Sequence, residues 1–236
     1  MSKSIGQILA IMRKDLISES RTRDVAVSVL VFALLVIVVF SFAFEPGAEV
    51  TKMFTNPQLE QIKLLVAPGV LWVSIVFAGV LSFNRSFAQE KEKGCLDALK
   101  LCPIDKEVIY MGKMLGSLVF LLIVEIIIFP LFSVLFNVSL LDPAIVLIAV
   151  LATIGFVCVG ILFSALSVYT KAREILLPIL FFPIVTPLII AAVRGTGSIL
   201  QGGSFGSISN WLGIMVAFDV IFIIVSLFIF EYAIEE

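Results

Sequence analysis

The chain has 236 residues, 61% of them hydrophobic and 14% charged, with a mean hydropathy of +1.18. A soluble domain of this length needs about a quarter of its residues charged to cover its surface, so a bilayer must serve as part of this protein's solvent. The net charge of −2 says nothing of partners, because the charges are segregated along the chain and no polar stretch is long enough to fold alone. The sequence reads as one all-α polytopic membrane domain over residues 1–236, with nothing that suits a nucleic acid.

There is no histidine, which removes Ser-His-Asp and Cys-His catalysis, HExxH zinc chemistry and a histidine ligand to haem. Cys95 and Cys102 are seven residues apart, not a zinc spacing, and Cys158 lies inside an apolar run, so no metal site is expected. Gly112-Lys113 lacks the upstream glycine and the following hydroxyl of a phosphate-binding loop. The chain is therefore not expected to hydrolyse ATP or to be an enzyme.

Residues 1–24 place Ile5, Ile8, Leu9, Met12 and Leu16 at helical spacing, ringed by Lys3, Arg13, Lys14, Arg21 and Arg23. That pattern predicts an amphipathic helix lying along the membrane surface, with a helix packed on a neighbour as the alternative. The apolar run that starts at Val25 has no small-x-small cleavage pattern, so it reads as a retained span. Six runs reach the roughly twenty residues a bilayer core requires, near 25–44, 66–83, 115–136, 144–167, 175–193 and 211–232.

Of the sixteen Lys and Arg residues, thirteen fall on one side of such a topology and three, Lys52, Lys63 and Arg194, on the other. The positive-inside rule then puts both termini and the loop 84–113 in the cytoplasm. On the outer side, 45–65 has room for a short surface helix, 137–143 makes a tight turn, and the Gly- and Ser-rich 194–210 is a loop expected to be mobile. The two sets of three spans show no repeat, which does not support an inverted-repeat transporter.

The long polar island, 84–113, carries six Lys and Arg residues. Lys91 and Lys93 precede Gly94, as at a helix C-terminus. Leu96, Leu99 and Cys102 repeat at helical spacing until Pro103, and Asp105 suits an N-cap with Glu107 in the following turn. Two short helices with an apolar face form a docking surface for a soluble partner; a solvated loop is the alternative.

Within the spans, Glu125 lies about 15 Å from either surface, too deep to snorkel, so it must face protein or water. Asp219 sits at comparable depth. Both acids suit a substrate or proton path, or buried hydrogen bonds between helices; Glu231 is near the cytoplasmic surface. Pro178, Pro183 and Pro187 predict a bent or broken fifth span. Gly155 and Gly160, with Ala152, Ser164 and Ala165, predict close helix contact, and Trp72 and Trp211 fit an outer aromatic belt.

Residues 64–105 resemble the haem exporter protein B family, the membrane subunit of the cytochrome c maturation ABC transporter. The resemblance rests on Ala67, Pro68, Gly69, Leu71 and Trp72 at the start of the second span, then Glu92, Gly94, Leu96, Asp97, Leu99 and Pro103 in the island. Gly155 to Gly160 (G-F-x-x-x-G) and Arg173 to Pro183 (RE-x-LLP-x-L-x-x-P) are also similar to the family, as are Glu125 and Phe230 to Tyr232, which some members share. The likeness covers nearly the whole chain. It implies an ABC-2-type permease in a prokaryotic inner membrane, present as two copies, with ATP bound by a separate ABC ATPase subunit. It further implies that Glu90, Glu92, Gly94, Leu96, Asp97, Leu99, Leu101 and Pro103 present a coupling helix to that ATPase. The same pathway supplies a haem-handling membrane protein and a haem chaperone as partners. Haem is then the possible substrate, and this chain binds no cofactor of its own.

Overall fold

The computed structural model describes residues 2–44, 56–92, 94–95, 104–167 and 173–233, and every regular element among them is a helix. In chain order these are α1 (Ser2–Thr22), α2 (Asp24–Ala43), α3 (Asn56–Glu92), α4 (Lys106–Phe136), α5 (Pro143–Ser167), α6 (Arg173–Leu200) and α7 (Phe205–Ala233). All but α1 are long and apolar enough to cross a bilayer. The chain is a multi-pass membrane protein. Below, the end of the bundle bearing α1 is called the basic end.

The helices α1 and α2 are separated by a single residue. Arg23 takes a left-handed conformation (φ 57°), and the Glu19 carboxylate accepts a hydrogen bond from the Ala26 N–H at 2.8 Å. That bond satisfies one of the donors left open at the start of α2. From there α2 buries only one stripe, Val25, Val29, Ala33 and Ile37, at a strict spacing of four. Its other faces expose Val27, Val31, Leu35, Val39 and Phe42, a surface suited to lipid and costly in water.

At the centre stands α5, packed against α3, α4, α6 and α7. Two reciprocal notches set its distance from α3. A Cβ on Gly79 would lie 2.2 Å from the Phe156 ring, and one on Gly160 would lie 2.2 Å from the Phe83 ring. Each helix thus offers a phenyl group to a glycine of the other, which lets the backbones approach as small residues do between membrane helices. The close contact expected of Gly155 and Gly160 is present. Phe181 of α6 closes the cluster, 5.3 Å from Phe156 and 5.9 Å from Phe83 between ring centroids. Ser164 donates to the Phe83 carbonyl at 2.6 Å.

Three expectations are corrected at the end opposite α1. The outer segment 45–65 does not form a separate surface helix where it is described: from Asn56 onward it is the first part of the continuous, 37-residue α3. Nor is 194–210 a loop, because α6 runs on to Leu200 and α7 starts at Phe205. The reason is packing: the Trp72 indole N–H donates to Thr196 Oγ1 at 3.1 Å, and Gly197 lies against Pro68. Helix α6 then ends in a Schellman turn at Gly202 (φ 83°), with Gly202 N–H bonded to Ile199 O and Gly203 N–H to Ser198 O. Trp72 is therefore an inward anchor and only 3% exposed, not a member of an aromatic belt; Trp211 is half-buried.

The turn between α4 and α5 is tight, as expected. Asn137 is left-handed (φ 53°), and Asp142 accepts from the Ala144 N–H at 2.8 Å with Pro143 opening the helix. Helix α6 stays unbroken through Pro178, Pro183 and Pro187. Its buried stripe is Leu177, Phe181, Val185 and Leu188, whereas Pro183 and Pro187 lie on the exposed side. Pro183 and Pro187 thus remove backbone donors from the outer face of the helix and leave its inward packing intact, while Pro178 is half-buried.

Candidate functional site

The polar island is framed by two well-defined helix ends. Helix α3 ends at Glu92, and Gly94 adopts φ 67° while its N–H bonds Lys91 O at 3.0 Å, so the glycine stop read from the sequence is present. Asp105 occupies the N-cap position of α4, but the carbonyl rather than the side chain makes the bond, to the Val108 N–H at 3.0 Å. Leu96, Asp97, Leu99, Leu101 and Pro103 lie outside the described residues, as do Lys93 and Cys102, and so does the side chain of Glu92. The coupling surface assigned to them is neither placed nor displaced.

What the structure brings together lies at both roots of this island. Lys113, in the second turn of α4, is only 2% exposed at its side chain, and its Nζ is 2.7 Å from Glu90 Oε2 near the end of α3. The same ammonium lies 3.3 Å from Asp15 Oδ2 of α1 and 4.7 Å from the centroid of the Phe87 ring. Lys14 completes the ring of charges, 3.1 Å from Asp15 Oδ1 and paired with Glu90 as well. Two ammonium groups and two carboxylates therefore alternate across three helices, and the cation over Phe87 gains a further attraction. A cleft of about 220 Å³ opens beside them, lined by Asp15, Glu19, Ser82, Glu90, Lys113 and Phe120.

The electrostatics follow from that arrangement. Burial alone would raise the Glu90 carboxyl, but the Lys113 ammonium and then Lys14 hold it below its ordinary value of 4.5. Burial likewise opposes the charge on Lys14, yet its bonds to Glu90 and Asp15 lift it above 10.5. Both groups stay charged throughout the neutral range.

Two glycines let α1 reach this position. A Cβ on Gly112 would stand 2.7 Å from Ile11 Cβ and 3.2 Å from the Ile8 carbonyl; on Gly116 it would stand 3.5 Å from Asp15 Cβ. The spacing of Gly112 and Gly116 is that of a close helix contact, and α1 lies across it with Ile11 buried and Ile8 half-buried. So α1 is a helix docked on α4, the alternative reading of its pattern. Its far side leaves Ile5, Leu9 and Ile17 exposed, as an interfacial helix requires. Behind the charges, Tyr110 donates to Cys158 O at 2.9 Å, and the Phe230 ring of α7 packs at a tilt 5.0 Å from Tyr110 and 6.3 Å from Phe87 between centroids.

The two membrane acids are not brought to one path. Glu125 is 4% exposed and accepts from Thr153 Oγ1 of α5 at 2.5 Å. Asp219 is 6% exposed and lies against Gly155, whose Cβ would stand 2.3 Å from Asp219 Oδ1. Thr153 and Gly155 are two residues apart, about 200° around a helix, so α5 stands between the carboxylates. The side chain of Glu231 lies outside the described residues. Among the described residues no cluster suited to a metal ion occurs.

Sequence reasoning missed Asp15 and set Lys113 aside. Both left a trace. Asp15 falls on the same helical face as Ile8, Ile11 and Met12, where a lone charge on an apolar stripe signals a buried partner. Lys113 stands between two glycines four residues apart, and that pairing marks a helix-docking face.

Comparison with known proteins agrees with this architecture. A family model described as CcmB protein matches residues 6–236. The chain is 30% identical over 164 residues to heme exporter protein B of Rhodobacter capsulatus, covering 68% of this chain and 69% of that protein. It is 25% identical over 189 residues to the protein of the same name from Pseudomonas aeruginosa, covering 80% and 79%. With that of Bradyrhizobium diazoefficiens it shares 25% identity over 200 residues, 84% of this chain and 85% of the relative. A match that spans nearly the whole chain, on a bundle of six apolar helices with a polar island between α3 and α4, shows that this protein belongs to the CcmB family.

Proposed function

We propose that this chain is the permease subunit of an ABC transporter serving cytochrome c maturation, driven by an ATPase carried on a separate polypeptide. The observation that carries the reading is the family match over residues 6–236, whose curated relatives are named heme exporter protein B. In this reading the basic end faces the cytoplasm and two copies of the chain form the pathway. The island between α3 and α4 receives the ATPase through Glu90, Glu92, Gly94, Leu96, Asp97, Leu99, Leu101 and Pro103. Haem is the substrate, and a haem-handling membrane protein and a haem chaperone take it onward.

The rigid framing of the island supports this role. A push on a loop does mechanical work only if its roots are fixed to the helices that must move. Here Glu90 and Lys113, on the two roots, form an ion pair at 2.7 Å. The chain lacks histidine, so an imidazole ligand for haem belongs to a partner.

Two measurements test the proposal. Leu96→Asp with Leu99→Asp is expected to abolish co-purification of the ATPase while leaving membrane insertion unchanged; normal recovery of the ATPase contradicts the docking role. Haem flux into vesicles holding only this chain and its ATPase is expected to require ATP. If those vesicles move no haem but release a loaded chaperone on ATP addition, the complex is a non-transporting assembly machine. Movement of an unrelated solute instead would make it a permease for another substrate.

A further inference from the structure

We infer that Lys14 and Asp15 are positioning residues that latch α1 to both roots of the island, so that α1 moves with the ends of α3 and α4 as one body. The inference rests on the permease reading above and assigns to α1 a part in transmission that the family match does not specify.

The argument begins with where the charges sit. Glu90 and Lys113 already form an ion pair at 2.7 Å, which links α3 to α4. Asp15 and Lys14 are not needed for that bond. Yet Asp15 reaches the same buried ammonium at 3.3 Å, and Lys14 reaches the same carboxylate. Lys14 and Asp15 are adjacent in sequence, one cation and one anion, and each meets the opposite charge on a different helix. A helix held only by apolar contact can slide or roll on its neighbour. One held by two crossed ion pairs has its register fixed, and fixing register is the best-attested use of polar groups in an otherwise apolar contact.

The glycines supply the second half of the latch. Gly112 and Gly116 bring the α1 backbone onto α4 closely enough that a Cβ at Gly116 would be 3.5 Å from Asp15 Cβ. At that distance the carboxylate spans from α1 to Lys113. From α1 the link continues: Glu19, one turn beyond Asp15, bonds the Ala26 N–H at the start of α2. A displacement at either root of the island therefore reaches the first membrane helix through one rigid lever, Asp15 to Glu19, without passing through the centre of the bundle.

The test uses the full chain in complex with its ATPase, in a background where Cys95 and Cys102 are serine. Lys14→Met with Asp15→Asn cuts only the α1 side and leaves the Glu90–Lys113 pair intact. Lys14 is half exposed and Asp15 about a quarter exposed, so the chain should still fold and bind the ATPase. Its ATP-driven output, read as haem flux or cytochrome c maturation, is expected to fall on the order of tenfold, the scale of mutations along a coupling route. The conservative pair Lys14→Arg with Asp15→Glu should restore it.

A covalent substitute sharpens the outcome. Asp15→Cys with Gly116→Cys puts two thiols at a separation that a disulfide spans. Output is expected to be low under dithiothreitol and to recover when diamide closes the bond, because the disulfide replaces the ionic latch. Wild-type output from Lys14→Met/Asp15→Asn at equal ATPase occupancy, or a cross-linked complex that is inactive, overturns the inference. Failure of the wild-type chain to recover any ATPase would instead overturn the permease reading, which keeps the two outcomes apart.

Discussion

The two ends of the bundle are held together by different physics. At the basic end, α1, α3 and α4 meet through four charges, those of Lys14, Asp15, Glu90 and the buried Lys113, with a cleft open beside them. At the opposite end, α3 and α6 meet through one neutral hydrogen bond from Trp72 to Thr196, set in apolar contact with Pro68 and Gly197. Ion pairs fix direction and register but depend on protonation and salt. A neutral bond in a dry contact depends on neither. The basic end is thus held by interactions that respond to protonation and salt, and the far end by interactions that respond to neither.

Breaking each end separately should expose that contrast. The largest loss is expected from Lys113→Ala, which strips the buried partner from Glu90. Removing one member of a buried pair costs up to about 3–5 kcal/mol, read as thermal stability in detergent, and raised salt should not restore it. Gly160→Ala comes next. Its new methyl would strike the Phe83 ring 2.2 Å away, and overpacking of this kind costs about 1–3 kcal/mol. A stability equal to wild type would show that the ring can step aside. Of the same order is Thr196→Val, which leaves the Trp72 N–H unpaired at a cost of about 1–3 kcal/mol, independent of pH and salt.

The pH dependence separates the ends most cleanly. Glu90 is held below its ordinary value, so its contribution is complete above pH 4.5 and is lost as acid passes below that value. Lys14 is held above its ordinary value, so its contribution is complete below pH 10.5 and is lost as the solution becomes more alkaline. Proteolysis of α1 should therefore accelerate at both extremes, while cleavage near Leu200 should not. Equal acceleration at both sites would erase the distinction. In the membrane centre, Glu125→Gln keeps an acceptor for Thr153 and should preserve the fold. If cytochrome c maturation falls while ATPase recruitment is unchanged, the carboxylate is functional; if maturation is normal, it is structural.

Most of this fold was legible because a bilayer imposes length and polarity on each span. The six helices, the glycine stop at Gly94, the tight turn at Asn137 and the close contact at Gly155 and Gly160 all follow from local pattern. The misread parts were those where tertiary packing overrides composition. Arg194 to Leu200 is rich in glycine and serine, yet the Trp72 and Pro68 surfaces keep it helical. Trp72 looked like an interfacial anchor because its depth is right, and only its partner on α6 reveals that it faces inward. Lys113 and Asp15 are far apart in sequence and each is unremarkable alone; their significance arises from three helices meeting.

The central claim is that the island between α3 and α4, with the charged hub at its roots, faces the cytoplasm. Cys95, three residues past the end of α3, is exposed and reports this directly. A membrane-impermeant maleimide should label Cys95 in inverted vesicles and leave it unlabelled in intact, right-side-out ones, in a background where Cys102 is serine. Labelling from the outside would place the hub away from any cytoplasmic ATPase and contradict the account.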